Sequence, residues 1–262
     1  MYIDCHCHLT DEKDFESVGG VDKAVETAYQ NGVGKMICSG YDLSSSIRAK
    51  ELAESYPFIY FCAGFHPSEL AKYKGGDLDE IEKLLRHEKC VALGEIGLDY
   101  HFDNNPEKAF QKELFIKQLL LADKVGLPIV IHSRDSAQDT LEILTEHKHL
   151  LKWGGVMHCY SYSPEMAERF LDLGLHFSFG GPCTFKNANK VVNSVERIPA
   201  HRLLSETDCP YLTPVPFRGE FPNTPKHIPV IVEKLAEIKG VSVDEMKNTV
   251  YDNAKKIFFK LQ

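Results

Sequence analysis

Two histidines stand one residue apart near the start of the chain, His6 and His8, in the stretch MYIDCHCHLT. In an extended strand residues two apart face the same side, so the two imidazoles would project together from one strand end. Neutral imidazole is a common metal ligand, and such a pair is a chelate for a divalent cation. Cys5 and Cys7 are then expected on the opposite face. Alone, the pair reads equally well as two polar residues ending a buried strand. Recurrence separates the two readings, because later apolar runs also end in, or just before, His, Glu or Asp: His66, Glu95, His132, His158 and Asp208.

These residues meet only if the chain places the ends of its strands together. Short apolar runs at residues 35–40, 58–64, 91–95, 128–132, 155–158, 175–179 and 202–206 follow the opening strand. Helical stretches separate them, near 21–31, 43–56, 77–87, 106–125, 138–147, 164–173 and 187–196, and two more follow at 228–239 and 242–259. Ser44, Ser45 and Ser46 are available to cap the second helix. Buried runs alternating with helices indicate parallel βαβ units, and about eight of them predict a closed (β/α)8 TIM barrel over an open sheet. No long linker, repeat or low-complexity tract interrupts the pattern, so residues 1–262 are expected to form one domain.

A barrel gathers its working residues where its strands end. Four His and two carboxylates buried together are costly without a metal or a paired charge. Glu95 is the natural bridge, since each of its oxygens can serve one ion. His6 and His8 would bind one ion with Asp208, and His132 and His158 the other. Two ions roughly 3.5–4 Å apart can activate a water and clamp a phosphodiester. Glu95 and Asp208 are thus the candidate catalytic carboxylates, with Asp208 also able to orient or deprotonate the water. Glu206, two residues earlier, is either a partner behind a ligand or an inward-facing barrel residue. The donor set suits Zn²⁺ or Mn²⁺, with Mg²⁺ also usable.

Composition narrows the partners. The 262 residues carry a net charge of -8 with a pI near 5.8, the opposite of a protein that coats long nucleic acid. Metal ions bring their own positive charge, so an enzyme gripping a few phosphates remains open. Several of the 8 Cys fall in apolar runs, where they read as small buried hydrophobes, and no Cys-x-x-Cys occurs. No basic-then-apolar leader and no apolar run near 20 residues is present. The expectation is a cytoplasmic, reduced protein with no membrane contact and no obligate protein partner.

The motifs Asp4-Cys-His6-Cys-His8, Gly64-Phe-His66-Pro67, Gly94-Glu95-Ile-Gly-Leu-Asp99-Tyr100, His132-Ser-Arg134-Asp135, His158-Cys-Tyr-Ser161 and Glu206-Thr-Asp208-Cys-Pro-Tyr211 occur in that order. Together they resemble the TatD family of metal-dependent deoxyribonucleases, nearly end to end. Gly180-Gly181 with Thr184-Phe185, and Arg218-Gly219 before Pro222-Asn223, extend the likeness. The resemblance implies a TIM barrel of the amidohydrolase-like superfamily that hydrolyses DNA phosphodiesters, with two divalent metal ions and DNA or a short oligonucleotide as substrate. It implies His6, His8, Glu95, His132, His158 and Asp208 as metal ligands, and places His66, Arg134 and the Arg218 region near the substrate phosphate. Two departures bear on substrate detail. The late loop reads Glu220-Phe-Pro-Asn223-Thr-Pro225 where the family often has Arg-Asn-Glu-Pro, and Ser161-Tyr162 replaces a frequent Ser-Gly.

Side readings stay open at this level. Arg134 can clamp phosphate bidentately or pair with Asp135. Tyr100 and Phe102 can stack on a base or simply pack. Lys255 and Lys256 read as a solvated helix face. The leading activity is a nuclease acting on ends or short single strands. Competing readings are an amidohydrolase or lactonase, a phosphomonoesterase, and a non-enzymatic metal-holding scaffold. The first usually bridges its metals with a modified Lys after the fourth strand, and no Lys lies between residues 91 and 98.

Overall fold

A computed structural model describes residues 1–261. Among them eight strands pair in parallel in simple chain order. They are β1 (Tyr2–Cys7), β2 (Val33–Ser39), β3 (Ile59–Ala63), β4 (Cys90–Asp99), β5 (Ile129–Arg134), β6 (Gly155–Met157), β7 (His176–Phe179) and β8 (Leu203–Ser205). Helices α1 (Gly20–Gln30), α2 (Leu43–Ser55), α3 (Asp77–Leu85), α4 (Lys108–Val125), α5 (Ala137–Glu146), α6 (Pro164–Leu171) and α7 (Asn189–Arg197) fill the crossovers. Helices α8 (Ile228–Lys239) and α9 (Val243–Ile257) follow β8. This is the (β/α)8 barrel expected from the alternation of apolar runs and helices.

Alternation along the strands divides the buried side chains into two sets. Met36, Cys38, Phe61, Leu93, Ile131 and Phe177 pack outward against helix residues such as Leu52, Leu114 and Leu119. Ile3, Cys5, Ile37, Cys62, Ala92, Val130, Val156 and Leu204 form the inner set. Ala254, Ile257 and Phe258, from α9 and just beyond it, join the inner set and close the barrel where its strands begin. Cys5 therefore faces the barrel interior, contrary to the simple alternation drawn from His6 and His8. The cause is a register shift between Asp4 and Cys7 against β2, which turns His6 inward after Cys5.

The seam between β8 and β1 is closed mostly by side chains. Ser205 Oγ donates to the Ile3 carbonyl at 2.9 Å, and Thr207 donates to Asp4 from its amide at 3.0 Å and its hydroxyl at 2.5 Å. Two backbone bonds extend the seam past the strand ends, Asp208 N to His6 O at 3.0 Å and His8 N to Cys209 O at 2.7 Å. At α2 the cap is Asp42, with Ser45 in a reciprocal capping box. The serine run supplies only that second half. Among the described residues no helix is long and apolar enough to cross a membrane.

Candidate metal centre

Glu95 lies in the longest strand and is 2% exposed. A register shift between Leu93 and Ile96 against β5 brings it inward, and its amide donates to the Gly40 carbonyl at 3.0 Å. Gly94 permits this path, because a Cβ there would stand 2.6 Å from the Val130 Cβ. The two Glu95 oxygens face two different groups. Oε2 lies 3.2 Å from His6 Nε2 and 3.5 Å from His8 Nε2. Oε1 lies 2.9 Å from His132 Nδ1, 2.8 Å from His158 Nε2 and 3.5 Å from His66 Nε2. Asp208 Oδ1 completes the first group, 3.3 Å from His8 Nε2 and 3.7 Å from His6 Nε2.

The outer nitrogens of His6, His8 and His132 are hydrogen-bonded from behind, which fixes those rings and, in His8 and His132, the tautomer. Ser39 at the end of β2 serves two rings. Its carbonyl accepts from His8 Nδ1 at 3.1 Å, and its hydroxyl meets His6 Nδ1 at 3.1 Å. Asp99 Oδ2 accepts from His132 Nε2 at 3.0 Å. Glu206, fully buried and hydrogen-bonded to the Ser178 hydroxyl, stands with Oε1 3.5 Å from His158 Nδ1. Glu206 thus stands behind the His158 ring, and it points into the barrel as well. In His8 and His132 the outer nitrogen must donate, since its partner only accepts. The inner nitrogen of the neutral ring then carries a lone pair aimed at Glu95.

Asp99, Ser39 and Asn223 carry much of this arrangement, and the sequence alone assigned them no role. Asp208 adopts φ 54, a left-handed conformation that Asp tolerates. Asn223 pins the turn around it. Its amide nitrogen donates to Thr207 O at 3.0 Å and Tyr211 O at 2.7 Å, and its backbone N–H donates to Pro210 O at 2.8 Å. Its Oδ1 accepts from Thr224 N at 2.9 Å and His227 Nδ1 at 2.8 Å. An Asn among closely spaced prolines was the available signal.

The electrostatics follow from burial and crowding. Burial alone would raise Glu95, but the charges of His158, His66 and His6 outweigh it and hold the carboxyl well below its usual range. Asp208 is likewise depressed, the His8 hydrogen bond overcoming burial. Burial pulls His8 down, yet Asp208 and Glu95 push it up to about 9. His132 and His158 are raised by the same kind of balance, with Asp99, Glu95 and Glu206 as the opposing partners. His6 is lowered by burial and by His158. His66 is lowered to about 3, first by burial and then by His132. Its Nδ1 accepts from Ser68 N at 3.1 Å, so the neutral ring carries its proton on Nε2, toward the site.

This donor set fits divalent metal. Lone-pair atoms at 2.9 Å, as in His132 Nδ1 and Glu95 Oε1, repel unless a cation or proton lies between them. His6 Nε2 and His8 Nε2 approach to 3.1 Å, and His132 Nδ1 and His158 Nε2 to 3.3 Å. The donor atoms of His6, His8 and Asp208 lie within 4.8 Å of one another, as do those of His6, Glu95 and His158. Imidazole with carboxylate is a zinc- or manganese-type set.

A cavity of about 620 Å³ opens over these residues. Its wall includes His66, Arg134, Tyr41, Asp11 and Tyr211 beside the His and carboxylate cluster. Arg134 stands 5.1 Å over the Phe102 ring, while Asp135 pairs with His101 at 2.8 Å instead. Tyr100 packs, its hydroxyl on Asp139 at 2.7 Å, whereas Phe102 is half exposed under Arg134. Arg218 lies 4.0 Å over Phe185, outside the cavity wall. Lys255 and Lys256 are solvated.

Residues 3–259 match the model of the family described as TatD related DNase. The uncharacterized metal-dependent hydrolase YabD of Bacillus subtilis is 42% identical over 261 residues, covering 98% of this chain and 99% of its own. YcfH of Escherichia coli, also an uncharacterized metal-dependent hydrolase, is 37% identical over 258 residues, covering 98% and 95%. The crystal structure of the TatD homolog YjjV from Escherichia coli superposes with a TM-score of 0.91 at 33% identity, covering 98% of each chain.

Proposed function

The chain belongs to the TatD-related family of metal-dependent hydrolases, and from that premise we propose that it hydrolyses phosphodiester bonds in DNA with two divalent ions, working from strand ends. One observation carries this reading: the two oxygens of the buried Glu95 face separate sets of imidazoles, His6 and His8 at one and His132, His158 and His66 at the other. A carboxylate so placed would hold two cations at once, and two-cation sites suit in-line displacement at phosphorus.

His6, His8 and Asp208 would hold one ion, His132 and His158 the other, and Glu95 both. Such ions supply a nucleophilic water at neutral pH and positive charge against the phosphoryl oxygens. The chain's own groups do the rest. Asp208, kept ionised by its His neighbours, accepts the proton of the attacking water. His66, neutral and protonated on Nε2, donates to a non-bridging phosphate oxygen. Arg134, with its guanidinium braced on Phe102, grips the next phosphate along the strand. Residues at the end of β5 and after β1, β2, β3, β6 and β8 wall the cavity around the reacting atoms.

End-labelled single- and double-stranded DNA, incubated with metal-stripped protein and added Mg²⁺, Mn²⁺ or Zn²⁺, tests the reading beside the Glu95→Ala protein. Metal-dependent shortening that the variant lacks is expected. Intact DNA under every metal, with turnover of a nucleotide monoester or a cyclic amide, would overturn it.

A further inference from the structure

We propose that the cavity is polarised across its metal centre, and that Asp11 selects substrates whose terminal nucleoside carries a free hydroxyl where a phosphate could stand. The inference rests on the phosphodiesterase reading above and assigns the two sides of its site. The charged residues in the cavity wall are Asp11, Glu69, Lys72, Glu95, Arg134 and Asp208, beside the histidines. Glu95 and Asp208 belong to the centre. Glu69 and Lys72 neutralise each other at 2.6 Å, and Lys72 also binds Asp42 at 2.9 Å. Two charges remain. Among the described residues Asp11 meets no cation and Arg134 no carboxylate within ion-pair distance. Asp11 follows β1 and Arg134 ends β5, four strands apart in an eight-stranded barrel, so they face each other across the centre.

Asp11 is held in place as an acceptor. Tyr41 donates to its Oδ1 at 2.7 Å and Tyr211 to its Oδ2 at 3.3 Å. An ionised carboxylate offers about four lone-pair sites, so two remain for a substrate hydroxyl. A phosphate brought to the same place meets like charge instead. Arg134 on the far wall receives the retained strand, whose next phosphate is anionic. A polyanion spanning both walls is disfavoured at Asp11, whereas a strand ending there in a hydroxyl satisfies both. Like unit charges about 6 Å apart at intermediate dielectric oppose binding by about tenfold.

The test uses Mn²⁺-loaded protein and three short single-stranded oligonucleotides, with hydroxyls at both ends, a phosphate at the 3′ end only, or a phosphate at the 5′ end only. Wild type is expected to cut one phosphorylated form at least tenfold less efficiently, by kcat/KM, than the hydroxyl form. Asp11→Asn should shrink that ratio at least fivefold, through KM for the phosphorylated form, and Tyr41→Phe should shift it the same way. Equal cleavage of all three forms by wild type, or an unchanged ratio in Asp11→Asn, overturns the inference alone. Cleavage of none of the three overturns the phosphodiesterase reading and this inference with it.

Discussion

Replacing Asp99 with Asn changes one atom's identity and leaves the side-chain shape intact. Asp99 Oδ1 accepts from His101 N at 2.9 Å and from Asn105 Nδ2 at 3.0 Å, while Oδ2 accepts from His132 Nε2 at 3.0 Å. An Asn cannot serve both sides. With its oxygen toward His132, its amide group confronts two donors. Turned over, its amide donates to His132 Nε2 and forces the ring proton onto Nδ1, the nitrogen that faces Glu95. The second orientation takes away the His132 lone pair toward the centre, and the first breaks the bonds from His101 and Asn105 that hold the side chain behind the ring. Partners behind metal-bound imidazoles change affinity by about 10–100-fold, or about 1.4–2.8 kcal/mol. Calorimetric titration of metal-stripped protein with Mn²⁺ or Zn²⁺ reads this directly. One class of binding event should weaken by that factor while the other, on the His6, His8 and Asp208 side, stays within about threefold. Unchanged affinity in both classes would refute the claim that Asp99 sets the His132 tautomer.

Two further outcomes follow from buried geometry. His176 and His227 are nearly fully buried, each with Nε2 unpartnered, and burial lowers both to about 4. A histidine depressed on folding takes up its proton first when unfolded. Its stability contribution is therefore intact above about pH 6.5 and lost as pH falls toward 4, by roughly 2.5 kcal/mol per group at pH 4.5. Urea unfolding of wild type and His176→Gln at pH 7.5 and 4.5 should show a drop smaller by about that amount in the variant; an identical drop would refute it. Gly97→Ala is expected to destabilise by about 3 kcal/mol or more, since φ is 141 and a Cβ would stand 1.9 Å from the His132 carbonyl. A thermal midpoint within about 2 °C of wild type would contradict that steric argument.

The barrel was legible in the sequence because buried parallel strands are short, apolar and bounded by Gly or Pro, and six of the eight here ended close to a His, Glu or Asp that the fold gathers. The strand carrying Glu95 was read as ending at Glu95. Gly94 and Gly97 look like breakers in one dimension, whereas they mark where neighbouring backbone comes too close for a Cβ. That misreading hid Asp99, four residues on, whose partner His132 lies on the adjacent strand. Ser39 was invisible for another reason: half of what it contributes is a main-chain carbonyl, which no residue type announces. Cys5 was placed on the wrong face because a strict period of two cannot register the shift between Asp4 and Cys7. Asn223, 15 positions beyond Asp208, acts through backbone carbonyls that only the folded turn brings together.

The seam between β8 and β1 has a consequence for how the protein is made. His6 and His8 lie on one side of it and Asp208 on the other, in a chain of 262 residues. A ribosome has released the two histidines long before it has joined the aspartate that completes their set. Until then the nascent chain offers only an incomplete chelate. On the proposed ligand assignment, full cation capture would be a late event in biosynthesis, available only to chains that have brought their last strand back to their first, and a chain truncated before residue 208 would lack the means to complete it.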